Sequence, residues 1–209
     1  MSGLWGVGVK VTSQNYVNTK DKVTVAPYIF GSYGLLNIEA NRANITLYGN
    51  GSVFVSVAGQ YRSIEAREDD SAFSERKAAI ELGPLVGVIL PYDFVLRASY
   101  LFDISSAHKG SELDVQLFRH DTWGDFFLLS SFGLQCQSSE LSNYYYGTAD
   151  YDISNAYSAE IEFIGTYTIG NYGVFLGLRN YWYSDEITNS PIVERNNNLQ
   201  IFSGVGYKF

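Results

Sequence analysis

His108 lies in "SSAHKGS", with Ser105, Ser106 and Ser111 close in sequence and Asp103 behind it. A histidine within reach of a hydroxyl and a carboxylate could activate a nucleophile. Nothing in the spacing fixes a base–nucleophile geometry, and serine-rich loops are common, so the plainer reading of His108 is a solvated loop residue. His120, the other histidine, falls in the short "RHDTWGD". No catalytic role is expected. "REDDS" groups Glu68, Asp69 and Asp70 and could attract a divalent cation, but it lacks the glycine and terminal glutamate of a calcium loop. A solvated charge run is the simpler account, and neither metal nor cofactor is expected. "NYYYGTADY" at 143–151 would suit either sugar stacking or an interfacial aromatic belt, and the belt is preferred.

A second set of charges is less easily dismissed, because it is embedded in apolar sequence. Lys10, Glu39, Arg62, Glu81, Arg97, Asp114, Glu160, Glu162 and Arg179 stand within alternating stretches rather than between them. Trp5, Val7, Val9 and Val11 alternate with Gly6, Gly8, Lys10 and Thr12. Tyr157, Ala159, Ile161 and Phe163 alternate with Ser158, Glu160 and Glu162, and Val174, Leu176, Leu178 and Trp182 with Gly177, Arg179 and Tyr181. Period two is the signature of strands with unlike faces. It predicts twelve strands, near 3–13, 22–32, 34–41, 44–49, 52–63, 76–89, 93–103, 111–119, 125–138, 157–168, 172–183 and 198–209. The third and fourth could instead be one bulged strand. Short connections (30–33, 49–51, 90–93, 120–125, 169–173) alternate with long ones (14–21, 64–75, 104–110, 139–156, 184–197), the join at 42–43 being the exception.

An even number of strands, tight turns on one rim and long loops on the other describe a transmembrane antiparallel up-and-down β-barrel of the bacterial outer membrane. The class is all-β, and residues 1–209 are expected to form one barrel domain. Aromatics fall at both strand ends: Trp5, Tyr92, Trp123, Tyr172, Tyr207 and Phe209 towards the short periplasmic turns, and Tyr61, Tyr100, Tyr157 and Trp182 towards the longer extracellular loops. The embedded charges then face the lumen. A soluble barrel would need a charged outer coat, and charged residues are only 17% of this chain. The net charge of −8 argues against a nucleic-acid partner. Cys136 stands alone, so no internal disulfide forms, and it is read as a buried or lipid-facing small residue. No segment has the ~20 apolar residues of a spanning helix. No signal peptide is visible at "MSGLWGVGVKV", which suggests a mature chain restarted at a new methionine.

In the closing "NNLQIFSGVGYKF", Ile201, Val205, Tyr207 and Phe209 alternate towards a final aromatic, the pattern of substrates of the barrel-assembly machinery, and are read as an assembly signal. Together "GVGVKV" at 6–11, "YGLLNIEANRANITLYG" at 33–49, "NYYYG" at 143–147, "TNSPIV" at 188–193 and "GVGYKF" at 204–209 resemble the MltA-interacting protein (MipA)/OmpV family of outer-membrane proteins. The resemblance spans nearly the whole chain. It implies a fold and a location more than a chemistry, since the family has no catalytic motif to carry over. One member is regarded as a scaffold joining a periplasmic lytic transglycosylase to a peptidoglycan synthase; others are described as porin-like proteins or adhesins.

The expected function is therefore a narrow porin-like channel for small polar solutes or an envelope-structural barrel, with a scaffold for murein enzymes as the alternative. Expected partners are outer-membrane lipid and lipopolysaccharide, the assembly machinery and those periplasmic enzymes, for a monomer in the outer membrane. Arg62, Arg97 and Arg179 against Glu81, Glu160, Glu162 and Asp114 could line a channel or close into a plug, and loop 139–156 is long enough to enter the bore. A charge at Leu96, Leu176 or Val205 should block assembly, whereas a small polar residue at Ser99 or Gly177 should be tolerated.

Overall fold

The computed structural model describes residues 2–63 and 76–209, so the acidic run at 67–71 lies outside the described residues. The strands are β1 (Ser2–Thr12), β2 (Lys22–Tyr33), β3 (Leu36–Glu39), β4 (Arg42–Gly49), β5 (Val53–Arg62) and β6 (Ala79–Ile89). They continue with β7 (Phe94–Asp103), β8 (Ser111–Trp123), β9 (Phe126–Gln137), β10 (Ala156–Ile169), β11 (Tyr172–Tyr183) and β12 (Asn197–Lys208). Each pairs antiparallel with its sequence neighbours, and β12 closes on β1 to complete a twelve-stranded barrel. Closure satisfies the terminal strands' backbone groups, without which they could not lie in hydrocarbon. Gly3 and Phe209 exchange both backbone hydrogen bonds where β1 and β12 meet.

The period-two pattern is realised as an apolar exterior. Val7, Val9, Val25, Leu96, Phe163, Leu176 and Val205 are exposed on the outer wall, while Ser56, Glu81, Asp114, Gln116, Glu160 and Glu162 are buried inside. The aromatics named above are all exposed, forming a girdle at each rim. Cys136 is partly exposed and shares its face with Leu134 on the lipid side. The chain is thus inside out relative to a soluble barrel, as a lipid solvent requires.

Two boundaries depart from the sequence reading, and of the two alternatives at 34–49 the structure has the pair of strands. The strand expected to end at 119 runs to Trp123, and a two-residue turn at 124–125 replaces the polar "HDTWGD" loop. Gly124, at φ +58°, supplies the left-handed backbone of that turn. Residues 76–78 are not part of β6. "EANRANITLYG" is two strands joined at Ala40–Asn41, with a bulge between Thr46 and Tyr48 in β4.

The shortness of β3 leaves an irregularity in the wall. β2 pairs with β1 along its full length but with β3 only from Phe30 to Tyr33. A last rung is the Ala40 amide donating to the Ile29 carbonyl at 2.9 Å. Beyond it, among the described residues, no strand flanks the free side of β2 over its extracellular portion. Pro27 lies on this stretch, two residues from Ile29, so its missing N–H falls on the unpaired side, where a proline costs the sheet nothing.

The inner glycines let rings lie against the wall. A Cβ on Gly177 would sit 2.1 Å from the Phe202 ring. The expected tolerance of a small polar residue at Gly177 is therefore corrected: even serine forces Phe202 to move. We expect Leu176→Arg and Val205→Arg to cost about 2–4 kcal/mol each at mid-membrane, read as a lower urea midpoint in vesicles. Gly177→Ser should also destabilise, and Ser99→Thr should not. Equal tolerance of all four would refute the assignment of faces.

Candidate functional site

Every charged residue singled out within the strands lies on the inner face, and most are committed to one another. In β5, Arg62 directs Nε to Glu81 Oε1 of β6 at 2.8 Å and Nη2 to Glu112 Oε1 of β8 at 2.9 Å. Across the bore, Arg97 of β7 forks onto both carboxylate oxygens of Glu39 in β3, at 2.9 and 2.8 Å, and reaches Gln116 Oε1. Arg42 of β4 meets Asp114 of β8 at 2.7 Å. Arg179 of β11 bonds Glu162 and lies 3.1 Å from Glu160 in β10. Two of these pairs, Arg97–Glu39 and Arg42–Asp114, span the lumen between strands four apart in the barrel order. Lys10 lines the same interior.

Towards the periplasm the bore is filled by apolar groups. Leu4, Tyr28, Ile164, Phe175 and Phe202 form a buried cluster, with Tyr28 5.1 Å from Phe175 and 5.7 Å from Phe202 between ring centres. A second cluster, Ala58, Leu85 and Leu101, packs with Phe54 on the opposite wall.

The extracellular mouth is roofed by its connections, including the loop at 139–156 that is long enough to enter the bore. Residues after β9 form a helix, α1 (Ser139–Tyr146), capped by the Ser138 hydroxyl. Its Leu141 and Tyr145 are buried, so "NYYYG" belongs to the roof, not to an outer aromatic belt. The short helix α2 (Asp185–Thr188) adds Ile187, which packs with Ile153, Ala156 and Val193. The Tyr16 hydroxyl donates to the Tyr145 carbonyl, and Arg76 donates to the carbonyls of Tyr145 and Gly147. Burial holds the hydroxyls of Tyr16 and Tyr145 above the usual tyrosine range, so both remain protonated.

His108 also belongs inside, which corrects its reading as a solvated residue. Its side chain is fully buried, with Nε2 3.0 Å from Glu81 Oε1. Nδ1 accepts from the Gly110 amide at 3.0 Å, which leaves the proton on Nε2 to be donated to Glu81. Asp103 holds the loop by accepting from Ser105 and from the amides of His108 and Lys109. Ser105 thus serves a carboxylate rather than the imidazole. His120 lies between Phe118 and Phe127 near the periplasmic rim.

Between the roof and the aromatic floor lies a cavity of about 440 Å³. Its lining includes Thr12, Gln14, Thr24, Gln60, Gln137 and Tyr181 as well as Arg42, Arg62 and Arg179. Several of these residues lay outside the sequence reading, as did Glu112 and Gln116. The last two were readable, since "ELDVQ" places Glu112, Asp114 and Gln116 on one face. Arg42 follows Glu39 across a two-residue turn, so identifying it required the β3–β4 hairpin to be recognised.

The family model described as "MltA-interacting protein MipA" matches residues 5–209. The chain is similar to outer membrane protein Omp26La of Vibrio anguillarum, 29% identical over 94% of this chain and 83% of that one. It is 28% identical to outer membrane protein OmpV of Vibrio cholerae, over 99% and 87%. The MltA-interacting protein of Escherichia coli is 24% identical over 98% and 89%.

Removing Arg62 would leave Glu81 and Glu112 buried without their shared cation. We expect Arg62→Met to cost about 3–5 kcal/mol, read as a fall in the unfolding midpoint. Adding Glu112→Gln should restore part of that loss. No gain in the double variant would mean that the two carboxylates do not share Arg62.

Proposed function

Because the chain belongs to the MltA-interacting protein family of outer-membrane β-barrels, we propose that it is an envelope-structural barrel with a braced lumen, not an open porin. The observation that carries this reading is the pair of cross-lumen bridges, Arg97–Glu39 and Arg42–Asp114, together with the ring cluster around Tyr28 and Phe202. Twelve strands enclose a bore between those of filled eight-stranded barrels and open porins, so side-chain filling decides whether it conducts. Here long side chains reach across it and rings occupy the periplasmic half. The narrow porin-like pathway for small polar solutes is accordingly the weaker arm of the expectation.

In the same reading the barrel is a monomer surrounded by lipid and lipopolysaccharide. The assembly machinery reads the outward face of Ile201, Val205, Tyr207 and Phe209, all exposed on β12 and the residue after it. A second reading, a scaffold for murein enzymes, is favoured by the name of the Escherichia coli relative. The available docking surface is the periplasmic rim, where Leu35 and Tyr92 project from short turns, Tyr92 being 82% exposed. Co-purification of a lytic transglycosylase, lost in Leu35→Ser/Tyr92→Ser, would support that role.

Planar-bilayer recording tests the first reading. The refolded protein should be nearly silent, while Arg97→Ala with Arg179→Ala should introduce steady openings by removing two cations that hold the lumen closed. Large openings in the unaltered protein would overturn the braced-lumen reading.

A further inference from the structure

The lipid-facing wall carries charge at one place. Along β8 the outward face reads Leu113, Val115, Leu117, Arg119, Asp121 and Trp123 towards the periplasmic turn. The register with β9 is unbroken, and Asp114 and Gln116 are buried inside, so Arg119 and Asp121 point to lipid. Among the described strand residues they are the only charged ones so placed. The others follow the inner face by register: Lys22 lies opposite Thr12, Lys208 opposite Leu4, and Asp103 opposite Glu81.

This pair stands at the periplasmic end of the wall. Arg119 lies opposite Phe94, the first residue of β7, beside the short turn at 90–93. Its Nη2 is 2.6 Å from Asp121 Oδ1, and its Cζ is 5.6 Å from the centre of the Phe94 ring. The bond to Asp121 turns the guanidinium towards the periplasm, as a snorkelling side chain turns towards headgroups. It does not cover the pair: the Arg119 side chain is 38% exposed and that of Asp121 21%. Charge on a lipid-facing strand is tolerated near the interface and costly deeper in, so an accessible pair here is placed to meet a charged group of the bilayer itself.

The order of the two charges says which group. Asp121 is one same-face step beyond Arg119, about 5 Å nearer the periplasm on a tilted strand. Trp123, one step further, is 57% exposed and belongs to the periplasmic girdle. A phosphoethanolamine headgroup has the complementary order, with phosphate next to the glycerol and ammonium on the aqueous side. Guanidinium then meets phosphate in the forked, charge-assisted manner it favours, and the carboxylate accepts from the ammonium. A purely anionic headgroup is a poorer match. Asp93 and Asp125, exposed at the two flanking turns, make this corner acidic around its one arginine.

We propose that Arg119 and Asp121 form a binding site on the outer wall for the phosphoethanolamine headgroup of a phospholipid in the periplasmic leaflet. The headgroup bridges the two side chains, and Phe94 and Trp123 flank it. Phosphatidylcholine carries the same phosphate, but its ammonium holds methyl groups and no hydrogens, so it cannot donate to Asp121.

Quenching by acyl-brominated lipids tests this with the refolded full chain in mixed vesicles. The chain has three tryptophans, so Trp5→Phe with Trp182→Phe leaves Trp123 as a reporter beside the site. Trp123→Phe with Trp182→Phe leaves Trp5, whose outward neighbours are Ile29 and Tyr207, as the comparison. The expected result is about fivefold preference for phosphatidylethanolamine over phosphatidylcholine at Trp123, the worth of one interfacial charge pair, and none at Trp5. Asp121→Asn should abolish the preference, and Arg119→Gln should weaken association of both lipids. Heat-modifiable gel mobility reports whether the variants fold, and the comparison of headgroups with Arg119 and Asp121 intact stands without them. Equal quenching by both lipids at Trp123, an equal preference at Trp5, or a preference that folded Asp121→Asn retains would overturn the proposal. So would stronger association of phosphatidylglycerol, which would mean that Arg119 acts alone. Weak quenching by every lipid at Trp123 would also overturn it, since another protein would then cover the wall.

Discussion

Charge inside a barrel must be neutralised across the barrel. Lipid blocks the outward direction and adjacent strands supply only some of the partners, so Arg97 turns to Glu39 and Arg42 to Asp114 over the width of the bore. Each pair is expensive to desolvate and is retained only with good geometry and further hydrogen bonds. Gln116 supplies one to Arg97, and Gln137 another to Glu112. The remaining interior is arranged around these bridges. The apolar clusters fill the interior beside the bridges, Ala58, Leu85 and Leu101 next to Glu39, Arg42 and Arg97, and the roof closes over the extracellular end.

Packing inside a closed wall also reverses the usual role of small residues. In a soluble core, a glycine opposite a ring would be a defect. Here the wall curves around the contents, and Gly177 is the recess into which Phe202 fits. The rule that inward-facing positions accept polar replacements is expected to hold at Ser99 and to fail at Gly177, where a ring from a neighbouring strand already occupies the space.

Strand existence, face and order were legible because the lipid-facing side imposes a strict period of two over ten or more residues. The embedded charges were legible for the same reason: at Glu160, Glu162 and Arg179 the alternation assigns the face without reference to any partner. Pairing was not legible, since Arg62 joins Glu81 and Glu112 through register and curvature that no local pattern contains. The loops were less legible: their length showed that 139–156 could enter the bore, but nothing showed which residues would be buried there. His108 and Tyr145 lie in polar, aperiodic sequence and resemble solvated residues, yet long-range bonds to Glu81 and Tyr16 draw them into the mouth. Tertiary contacts decide burial there, and composition carries no trace of them.

The chain closes its barrel firmly at the terminal strands and weakly in the middle of its first third. β1 and β12 are joined from Leu4–Lys208 to Thr12–Gln200, while β2 and β3 share only the four residues Phe30–Tyr33. The mechanical and covalent orders of the cylinder therefore disagree. Under lateral tension, as when the surrounding bilayer thins or curves, the wall would be expected to part between two strands linked by a tight turn at Gly34–Leu35, while the joint between the chain's two ends holds. A cylinder of this kind hinges like a book whose spine is that turn, and its compliance has a direction fixed by a strand four residues long.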